Sequence, residues 1–458
     1  MHPSLVRNLL FPIHERLLHR PTFAYLAELE QSQWLARDRI EQLQMRKLKT
    51  LLRTARNHSP WHAERISSAG LELDSERDLT PEDLRRLPTM DKADAQAHRE
   101  QIVWKAVPGG AYRYNTGGSS GQPLIFYYGR ARQAADAACR MRSRRWWGVE
   151  VGDPEVFLWG APVELNKTDW VKTVRDRLFN QLLLNAFDMT KAAMDEYPRR
   201  IRAFDPACVY GYASSLALLA AHAKSRGQSL KTPRLKVVCA TGEPLLPEQR
   251  RLIGEVFEAP VSNEYGCRDG GLIALESPAG QLLLNSETIV LEILDERGNP
   301  AAPGEVGEVV LTNLCTEAQP FIRYRTGDMA RQSAEFCQAG RGLHVVAEIM
   351  GRTTDFIVRP DGAIMHALSV IYVLRAVEGV GEFKIVQWTP EHLEVSVRPN
   401  ASWRDEAKEA IVAQLRLRME SPVRVDVNLV ESIPPEASGK YRYVVSHAAL
   451  PEKLDTRD

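Results

Sequence analysis

Apolar residues in the first hundred positions recur at helical spacing. The clearest case is the stretch from Gln31 to Asn57, whose apolar positions fall near one helix face: Leu43, Met45, Leu48, Leu51 and Leu52. This part of the chain is also rich in leucine, arginine, glutamate and glutamine. Residues 1 to about 100 are therefore predicted to be mostly helical.

Short apolar runs alternate with helical segments from about residue 100 to 350. Val156–Trp159 and Leu235–Cys239 are predicted to be buried strands. Each runs into a loop containing glycine or proline, as expected where the edge of a sheet presents loops to a ligand. Val290–Leu294 and Gly307–Leu311 flank a Gly-Asn-Pro turn and are predicted to form a β-hairpin.

The pattern changes after Gly351. Two runs with alternating apolar positions predict paired strands across a short turn: Phe383, Ile385 and Gln387, then Leu393, Val395 and Val397. A helix stripe and a further strand follow: Ala407, Ile411, Leu415 and Met419, then Val423, Val425 and Val427. The fold class predicted is mixed α/β. It comprises a large domain of sheets and helices over 1–350 and a small, mobile α+β domain over 351–458, with a hinge near Met350–Asp355.

Length and charge bound the class of protein. A chain of 458 residues exceeds the size at which one core usually stops growing, which also predicts two or more domains. It is 44% hydrophobic and 26% charged, with 59 basic and 59 acidic residues, so no net charge favours nucleic acid or an acidic membrane. A local cluster of arginines is interpreted as a solvated helix face, and the alternative is a site for a phosphate-bearing ligand or a membrane surface. Its members are Arg130, Arg132, Arg140, Arg142, Arg144 and Arg145.

No targeting or spanning segment is expected. The longest aliphatic stretch, Leu216–Ala221, is far shorter than the roughly 20 residues of a membrane-spanning helix. Pro12 and His14 interrupt the apolar N-terminus, which argues against a signal peptide. The six cysteines are then expected to be reduced thiols of a cytoplasmic protein. None forms a C-x-x-C pair, so no zinc site is expected.

A glycine-rich loop is the first candidate site. It runs Thr116, Gly117, Gly118, Ser119, Ser120 and Gly121. Glycines allow backbone N–H groups to turn inward around anionic oxygens, and the hydroxyls add donors. No Lys-Ser/Thr follows Gly121, so it is not a P-loop. A flexible surface turn is the alternative.

Two acids are candidates for holding a metal and a sugar. Asp269 follows Tyr265-Gly266 and could hold Mg²⁺ near phosphates, while Tyr265 could stack on a base. The alternative for Asp269 is a solvated loop acid. Asp328 could accept both hydroxyls of a ribose, with a turn aspartate as the alternative. Arg352 is a second candidate contact to the same sugar or its phosphate.

Lys440 follows Pro434, Pro435 and Gly439 in a loop of the small domain. A flexible ammonium group could reach a distant site and stabilise charge on an α-phosphate and an entering carboxylate. An ordinary surface lysine is the alternative.

These motifs occur in a fixed order. With this ordered set, the chain resembles the acyl-adenylate-forming superfamily. Within it, the chain is most similar to the phenylacetate–CoA ligase branch, including capsular-polysaccharide-associated relatives. The resemblance covers nearly the whole chain. Its most specific segments are Glu264–Gly271, Pro320–Asp328 and Gly351–Thr353.

The resemblance implies two half-reactions. An acid and ATP give acyl-AMP and pyrophosphate; the small domain then rotates, and a thiol, usually that of CoA, takes the acyl group. It implies that Thr116–Gly121 is the phosphate loop, that Asp269 binds Mg²⁺ and that Lys440 is the catalytic lysine of adenylation. The implied nucleotide contacts are Gly242, Glu243 and Pro244 at the adenine with Tyr265 and Gly266 beside them, and Asp328 and Arg352 at the ribose.

Three positions depart from the family pattern. Relatives often carry a metal-binding cysteine segment, of which only Cys337 remains in this chain. This agrees with the expectation that the protein has no zinc site. The hinge position, commonly Asp or Lys, is Thr354, and the metal-binding acid, commonly Glu, is Asp269. The last two put the turnover rate in question, not the class of reaction.

The predicted function is an ATP-dependent, AMP-forming ligase acting on a small organic acid, aromatic or of medium size and apolar. Its acid pocket is predicted near Trp159, Tyr210, Gly211, Tyr212 and Ala240, with plain core packing as the alternative. CoA is the expected acceptor, and a carrier-protein thiol or an amine is the alternative. A non-catalytic nucleotide-binding relative is the rival from another class. No nucleic-acid partner is expected, and a homodimer stays open.

Overall fold

The structure is a computed structural model. It describes residues 1–115, 124–159, 175–186, 189–243, 245, 247–295, 297–352, 356–361, 364–366, 368–433 and 444–448. Contacts divide the chain into two compact units. The first contains Met1–Asn115 and Ile125–Met350, and the second contains Leu124 and the described residues from Gly351 onward.

The N-terminal part of the first unit is helical, as predicted. A π-helical turn, Val6–Leu10, joins α1 to α2. The helices in this part are α1 Pro3–Leu5, α2 Phe11–Leu17, α3 Thr22–Ser32, α4 Arg37–His58, α5 Pro60–Ser68, α6 Pro81–Arg85, α7 Lys92–Ala97 and α8 Arg99–Ile102. The apolar face of α4, with Leu48 and Leu52, packs against Ile66 of α5 and Ile322.

The predicted helical stretch from Gln31 to Asn57 is broken between α3 and α4. The Gly342 backbone N–H donates to the Gln33 carbonyl oxygen at 2.9 Å, in the segment that joins the two helices. A Cβ atom on Gly342 would lie 2.0 Å from the carbonyl oxygen of Leu35, so only glycine fits there. A distant part of the chain therefore packs closely against the break.

A mixed sheet forms the centre of the first unit, with strand order β13-β9-β8-β7-β6-β5-β3-β4. Its strands are β3 Glu155–Trp159, β4 Gln181–Asn185, β5 Cys208–Tyr212, β6 Val237–Thr241, β7 Val261–Cys267, β8 Gly271–Glu276, β9 Leu282–Leu284 and β13 Val345–Val346. The strands from β4 to β7 pair in parallel, whereas β7–β8, β8–β9 and β9–β13 pair antiparallel. The predicted strands at 156–159 and 235–239 are β3 and, two residues later, β6.

Helices cover both faces of this sheet. On one face, Leu158, Val209 and Val238 pack with Ile201, Leu216 and Phe257. The helices that pack on this face, and that carry Ile201, Leu216 and Phe257, are α10 Lys191–Phe204, α11 Ala213–Ser225 and α12 Pro247–Phe257. On the other face, α9 Arg130–Trp146 lies between α3 and the sheet, with Ala138 and Cys139 packed against Leu29 and Leu275. Coverage of both faces explains why β6 is buried along its length.

Two smaller sheets accompany the central sheet. β1 Tyr112–Asn115 pairs antiparallel with β2 Ile125–Tyr128. The other sheet has the order β10-β11-β12-β14, with strands β10 Ile289–Leu294, β11 Val306–Asn313, β12 Tyr324–Arg331 and β14 Glu348–Arg352. The predicted hairpin is confirmed, since β10 and β11 pair antiparallel with Leu291 opposite Leu311.

The second unit is α+β. It contains a four-stranded sheet with the strand order β19-β18-β17-β20. The strands are β17 Val380–Thr389, β18 His392–Pro399, β19 Arg424–Leu429 and β20 Val444–Ser446. Phe383 lies opposite Val397 and Ile385 opposite Val395, as predicted. The remaining elements are β15 Phe356–Val358, β16 Ile364–His366, α13 Leu368–Ala376 and α14 Glu406–Met419. Ile411, Leu415 and Met419 of α14 are buried against this sheet, and the mixed α/β class is confirmed.

Candidate functional site

The carboxyl ends of the parallel strands meet at one edge of the central sheet. Their register places Gly211 beside Ala240 and Thr241 beside Glu264, so β5, β6 and β7 end at the same level. The strand order reverses between β3 and β5, because β4 lies outside β3 on the other side. Ligands of open α/β sheets bind in the crevice at such a reversal.

Three aromatic side chains occupy this crevice. The Trp159 ring stacks on Tyr212 at 4.2 Å between centroids and 18°, and on Tyr210 at 5.5 Å and 22°. A Cβ atom on Gly211, between the tyrosines, would lie 2.7 Å from the Leu158 carbonyl oxygen. Ala240 packs in the core on the opposite face, with Val238 and Val209. The structure thus groups Trp159, Tyr210 and Tyr212, and places the Ala240 side chain elsewhere.

Gly242 begins the loop that follows β6. Its φ of 74° lies in the left-handed region that favours glycine, and a Cβ atom there would be 3.1 Å from the Tyr212 ring. Glu243 follows it, half-buried, and Pro244 lies outside the described residues. The loop therefore lies beside the aromatic group.

Asp328 and Tyr265 contact each other although β12 and β7 belong to different sheets. The Tyr265 hydroxyl donates to Asp328 Oδ2 at 2.8 Å. Asp328 is 8% exposed. Burial and the Asp328 carboxylate raise the pKa of Tyr265 well above its ordinary value, so the hydroxyl keeps its proton and donates.

Asp269 is also buried, at 7% exposure, which excludes the interpretation as a solvated loop acid. The Tyr324 hydroxyl donates to Asp269 Oδ2 at 2.6 Å. Arg132 of α9 donates to the backbone carbonyl oxygens of Asp269 and Arg268, both at 2.6 Å. The loop after β7 is therefore held from two sides.

Cys267 links the two acids. Burial raises the pKa of its thiol well above the ordinary value, and the Asp269 and Asp328 carboxylates raise it further. Two acids predicted separately from the sequence therefore both influence the pKa of one half-buried thiol.

The remaining predicted residues are not placed with these. Thr116–Gly121 and Lys440 lie outside the described residues. The backbone of Arg352 ends β14.

The sequence interpretation of the α9 arginines as a solvated helix face is wrong. Arg132, Arg142 and Arg144 are buried, because α9 lies between α3 and the sheet. Arg142 Nη1 contacts Glu287 at 2.5 Å and Arg144 Nη1 contacts Glu264 at 2.5 Å. Arg132 and Tyr324, which position Asp269, were not identified as functional residues from the sequence. Arg132 lies in the arginine cluster, and Tyr324 lies in the Pro320–Asp328 segment.

The described part of the chain lacks clustered metal ligands. It contains no group of three or more His, Cys, Asp or Glu side chains arranged to hold a metal ion. Mg²⁺ needs only one or two carboxylates when phosphates and water complete its shell, so a single buried acid such as Asp269 suits it. Cys337 packs with Leu283, Leu343 and Val345. In the same part of the chain, no helix has the length and hydropathy to cross a bilayer.

Comparison with known proteins identifies relatives along the whole chain. Residues 357–447 match the family model described as the CapK C-terminal domain. Protein CapK of Staphylococcus aureus is 22% identical over 97% of this chain and 98% of its own length. Phenylacetate-coenzyme A ligase of Thermus thermophilus is 26% identical over 79% of this chain and 80% of its own.

Solved structures share the fold. 2-Hydroxyisobutyryl-CoA ligase in the postadenylation state, in complex with R3-HIB-AMP, superposes with a TM-score of 0.63 and 20% identity over 91% of each chain. The same ligase with 2-HIB-AMP and CoA, in the thioesterification state, gives 0.60 and 22% over 92% of each chain.

Proposed function

Because the chain is a homologue of CapK and phenylacetate–CoA ligases and has the fold of adenylate-forming acyl-CoA ligases, we propose that it is an AMP-forming acid–thiol ligase. It activates a small carboxylic acid, aromatic or of medium size and apolar, as acyl-AMP and transfers it to CoA. The observation that carries the proposal is the pair of buried acids, Asp328 bonded to Tyr265 and Asp269 bonded to Tyr324.

In this proposal Asp328 binds the ribose of ATP. A carboxylate has two acceptor oxygens with about four lone-pair sites. It can therefore accept from Tyr265 and still accept from sugar hydroxyls. The Tyr265 hydrogen bond fixes the orientation of the carboxylate, and the Tyr265 ring borders the base together with Gly242–Pro244. Arg352 is the second contact to the sugar.

Asp269 holds Mg²⁺ in this proposal. Its carboxylate is buried and oriented by Tyr324, and the backbone around it is fixed by Arg132. A bound Mg²⁺ ion neutralises charge on the phosphates of ATP. The side chain of Asp269 supplies one hard oxygen ligand, and Thr116–Gly121 supplies N–H groups to the phosphates.

The acid binds at the reversal between β3 and β5. The stacked rings of Trp159, Tyr210 and Tyr212 suit an apolar or aromatic body.

We further propose that 1–350 and 351–458 are separate domains, that the second carries Lys440 and moves between the half-reactions, and that the protein works in the cytoplasm. The division of contacts at Met350 supports the first of these.

The test is ATP–pyrophosphate exchange across a panel of carboxylic acids with purified protein and Mg²⁺. Acid-dependent exchange is the expected result, and its absence with every acid would contradict adenylation. CoA, hydroxylamine and a phosphopantetheinyl carrier protein are then offered in separate reactions. Thioester formation with CoA is expected to be fastest, and a faster reaction with the amine or the carrier would reassign the acceptor.

A further inference from the structure

Helix α9 places two arginines against the aromatic group of the crevice. The guanidinium carbons of Arg140 and Arg144 each lie 5.2 Å from the centroid of the Tyr210 ring. Trp159 stacks on the same ring. The aromatic group proposed to take the apolar body of the substrate is therefore bordered by two cations, which a purely apolar substrate would not need.

The two arginines differ in their partners. Arg144 has two carboxylates: Nη1 contacts Glu264 at 2.5 Å and Nε lies 3.7 Å from Glu155. Arg140 lies one helical turn earlier. Its buried Nε atom has no hydrogen-bond partner among the described residues, and none of the ion pairs between those residues includes Arg140.

Arg140 is also not fully buried, so part of its surface stays accessible. A guanidinium group presents five N–H donors, and a buried donor without an acceptor costs free energy. Arg140 therefore combines a positive charge, N–H donors without acceptors among the described residues, and accessible surface.

The surrounding charges leave this cation incompletely compensated. Glu264 is engaged by Arg144 at 2.5 Å. Glu155 is the other acid nearby, and its Oε2 atom lies 3.7 Å from Arg144 Nε. Both acids therefore pair with Arg144, and neither forms an ion pair with Arg140 among the described residues.

We infer that Arg140 is a specificity-determining residue that receives a second anionic group of the substrate, remote from the carboxylate that is activated. This inference rests on the proposed function and narrows its substrate to acids with an apolar or aromatic body and a second acidic group. The aromatic rings take the body. A guanidinium group can form two parallel hydrogen bonds to a carboxylate, phosphate or sulfonate.

The experiment compares matched acids in ATP–pyrophosphate exchange: 4-carboxyphenylacetate against 4-methylphenylacetate, and glutarate against pentanoate. The intact protein is expected to prefer the dianionic member of a pair by roughly tenfold to a hundredfold in kcat/KM, the range for a hydrogen bond to a charged group. Arg140→Met is expected to abolish or reverse this preference, and Arg140→Lys to keep part of it.

Arg145→Met is the matched control, because Arg145 is on the same helix but contacts Glu30 and Glu150, both at 3.1 Å. It should leave the preference unchanged. Equal or better exchange with the apolar acids in the unaltered protein would overturn the inference while leaving the proposed function intact, even if no Arg140 variant folds. Exchange with no acid at all would instead overturn the proposed function. A preference that survives in Arg140→Met would assign the second anion to another residue and also overturn the inference.

Discussion

Asp328 is the side chain whose role is easiest to test alone. Asp328→Ala is expected to weaken ATP binding and adenylation together, by about 1.5–3 kcal/mol, as for hydrogen bonds to charged groups. Tyr265→Phe is the matched variant, because it keeps the Asp328 carboxylate and removes the 2.8 Å hydrogen bond that orients it, so it should cost less. Calorimetric titration with ATP measures both. Unchanged nucleotide binding by Asp328→Ala would remove this residue from the site.

His62 makes stability depend on pH. Arg65 Nη1 lies 2.8 Å from His62 Nδ1, which must therefore accept, and Nε2–H donates to the Pro320 carbonyl oxygen at 3.0 Å. The ring is neutral: burial and then the Arg65 charge lower the pKa of His62 to about 3. Since the unfolded chain has the higher pKa, the contribution of His62 to stability is complete above about pH 6.5 and decreases as the pH falls toward 3.

Denaturant unfolding at pH 7 and pH 5 measures this effect. The protein is expected to lose about 2 kcal/mol more stability between these pH values than His62→Gln, whose amide can donate to Pro320 but does not titrate. The comparison with the variant cancels the contribution of the carboxylates. An identical pH dependence in the two proteins would mean that His62 is not the titrating group.

Sequence reasoning found the acids of the candidate site but not what holds them. Asp269 and Asp328 stand in recognisable motifs, so their positions were predictable. Tyr324 bonds to Asp269 across 55 residues and Arg132 reaches its carbonyl across 137, and no local pattern encodes such contacts. The burial of both acids is likewise a tertiary property.

At the scale of elements, α9 is fixed to the segment between β9 and β10 by a fully buried ion pair. Arg142 and Glu287 are 0% exposed, and Arg142 Nη2 also donates to Asn285 Oδ1 at 2.8 Å. Arg142→Met and Glu287→Gln should each lower stability by about 3–5 kcal/mol, because each leaves an unpaired buried charge. The double variant should lose much less than the sum.

Urea unfolding followed by tryptophan fluorescence measures all three variants, and Arg145→Met serves as the half-exposed control on the same helix. Strict additivity of the two single changes would show that the pair does not act as a unit.

Elements with local partners were predictable, and those with distant partners were not. The hairpins β10–β11 and β17–β18 pair strands that follow each other in the chain. Alternating apolar positions on either side of a short turn predict the second of them. The order β4-β3-β5 and the pairing of β9 with β13 join segments far apart in the chain. The break between α3 and α4 was not predicted either, and its contact with Gly342 joins segments about 300 residues apart.

At the scale of the whole molecule, the proposed movement of the second domain separates the half-reactions. Lys440→Ala is expected to reduce acyl-AMP formation by about 10²–10³ or more, because it removes a charge that acts on the α-phosphate. Thioester formation from preformed acyl-AMP should be spared. Single-turnover kinetics of each half-reaction measures the two rates, with circular dichroism as the control for folding.

The pattern of losses identifies the role of Lys440. Equal loss in both half-reactions would indicate general positioning or binding of CoA. No loss in either would show that the family resemblance fails at this residue, and would favour a non-catalytic nucleotide-binding protein.

The contact between Gly342 and the segment joining α3 to α4 also bears on how the protein is made. Arg37 and Gly342 are 305 residues apart, yet Arg37 Nε donates to the Gly342 carbonyl oxygen at 2.8 Å. At about 5–20 residues per second, a ribosome needs roughly 15–60 s to extend the chain from one to the other. For most of that interval the apolar face of α4 lacks Leu314 and Ile322, with which it packs in the folded protein. The nascent chain is therefore expected to bind chaperones that shield apolar surface during translation.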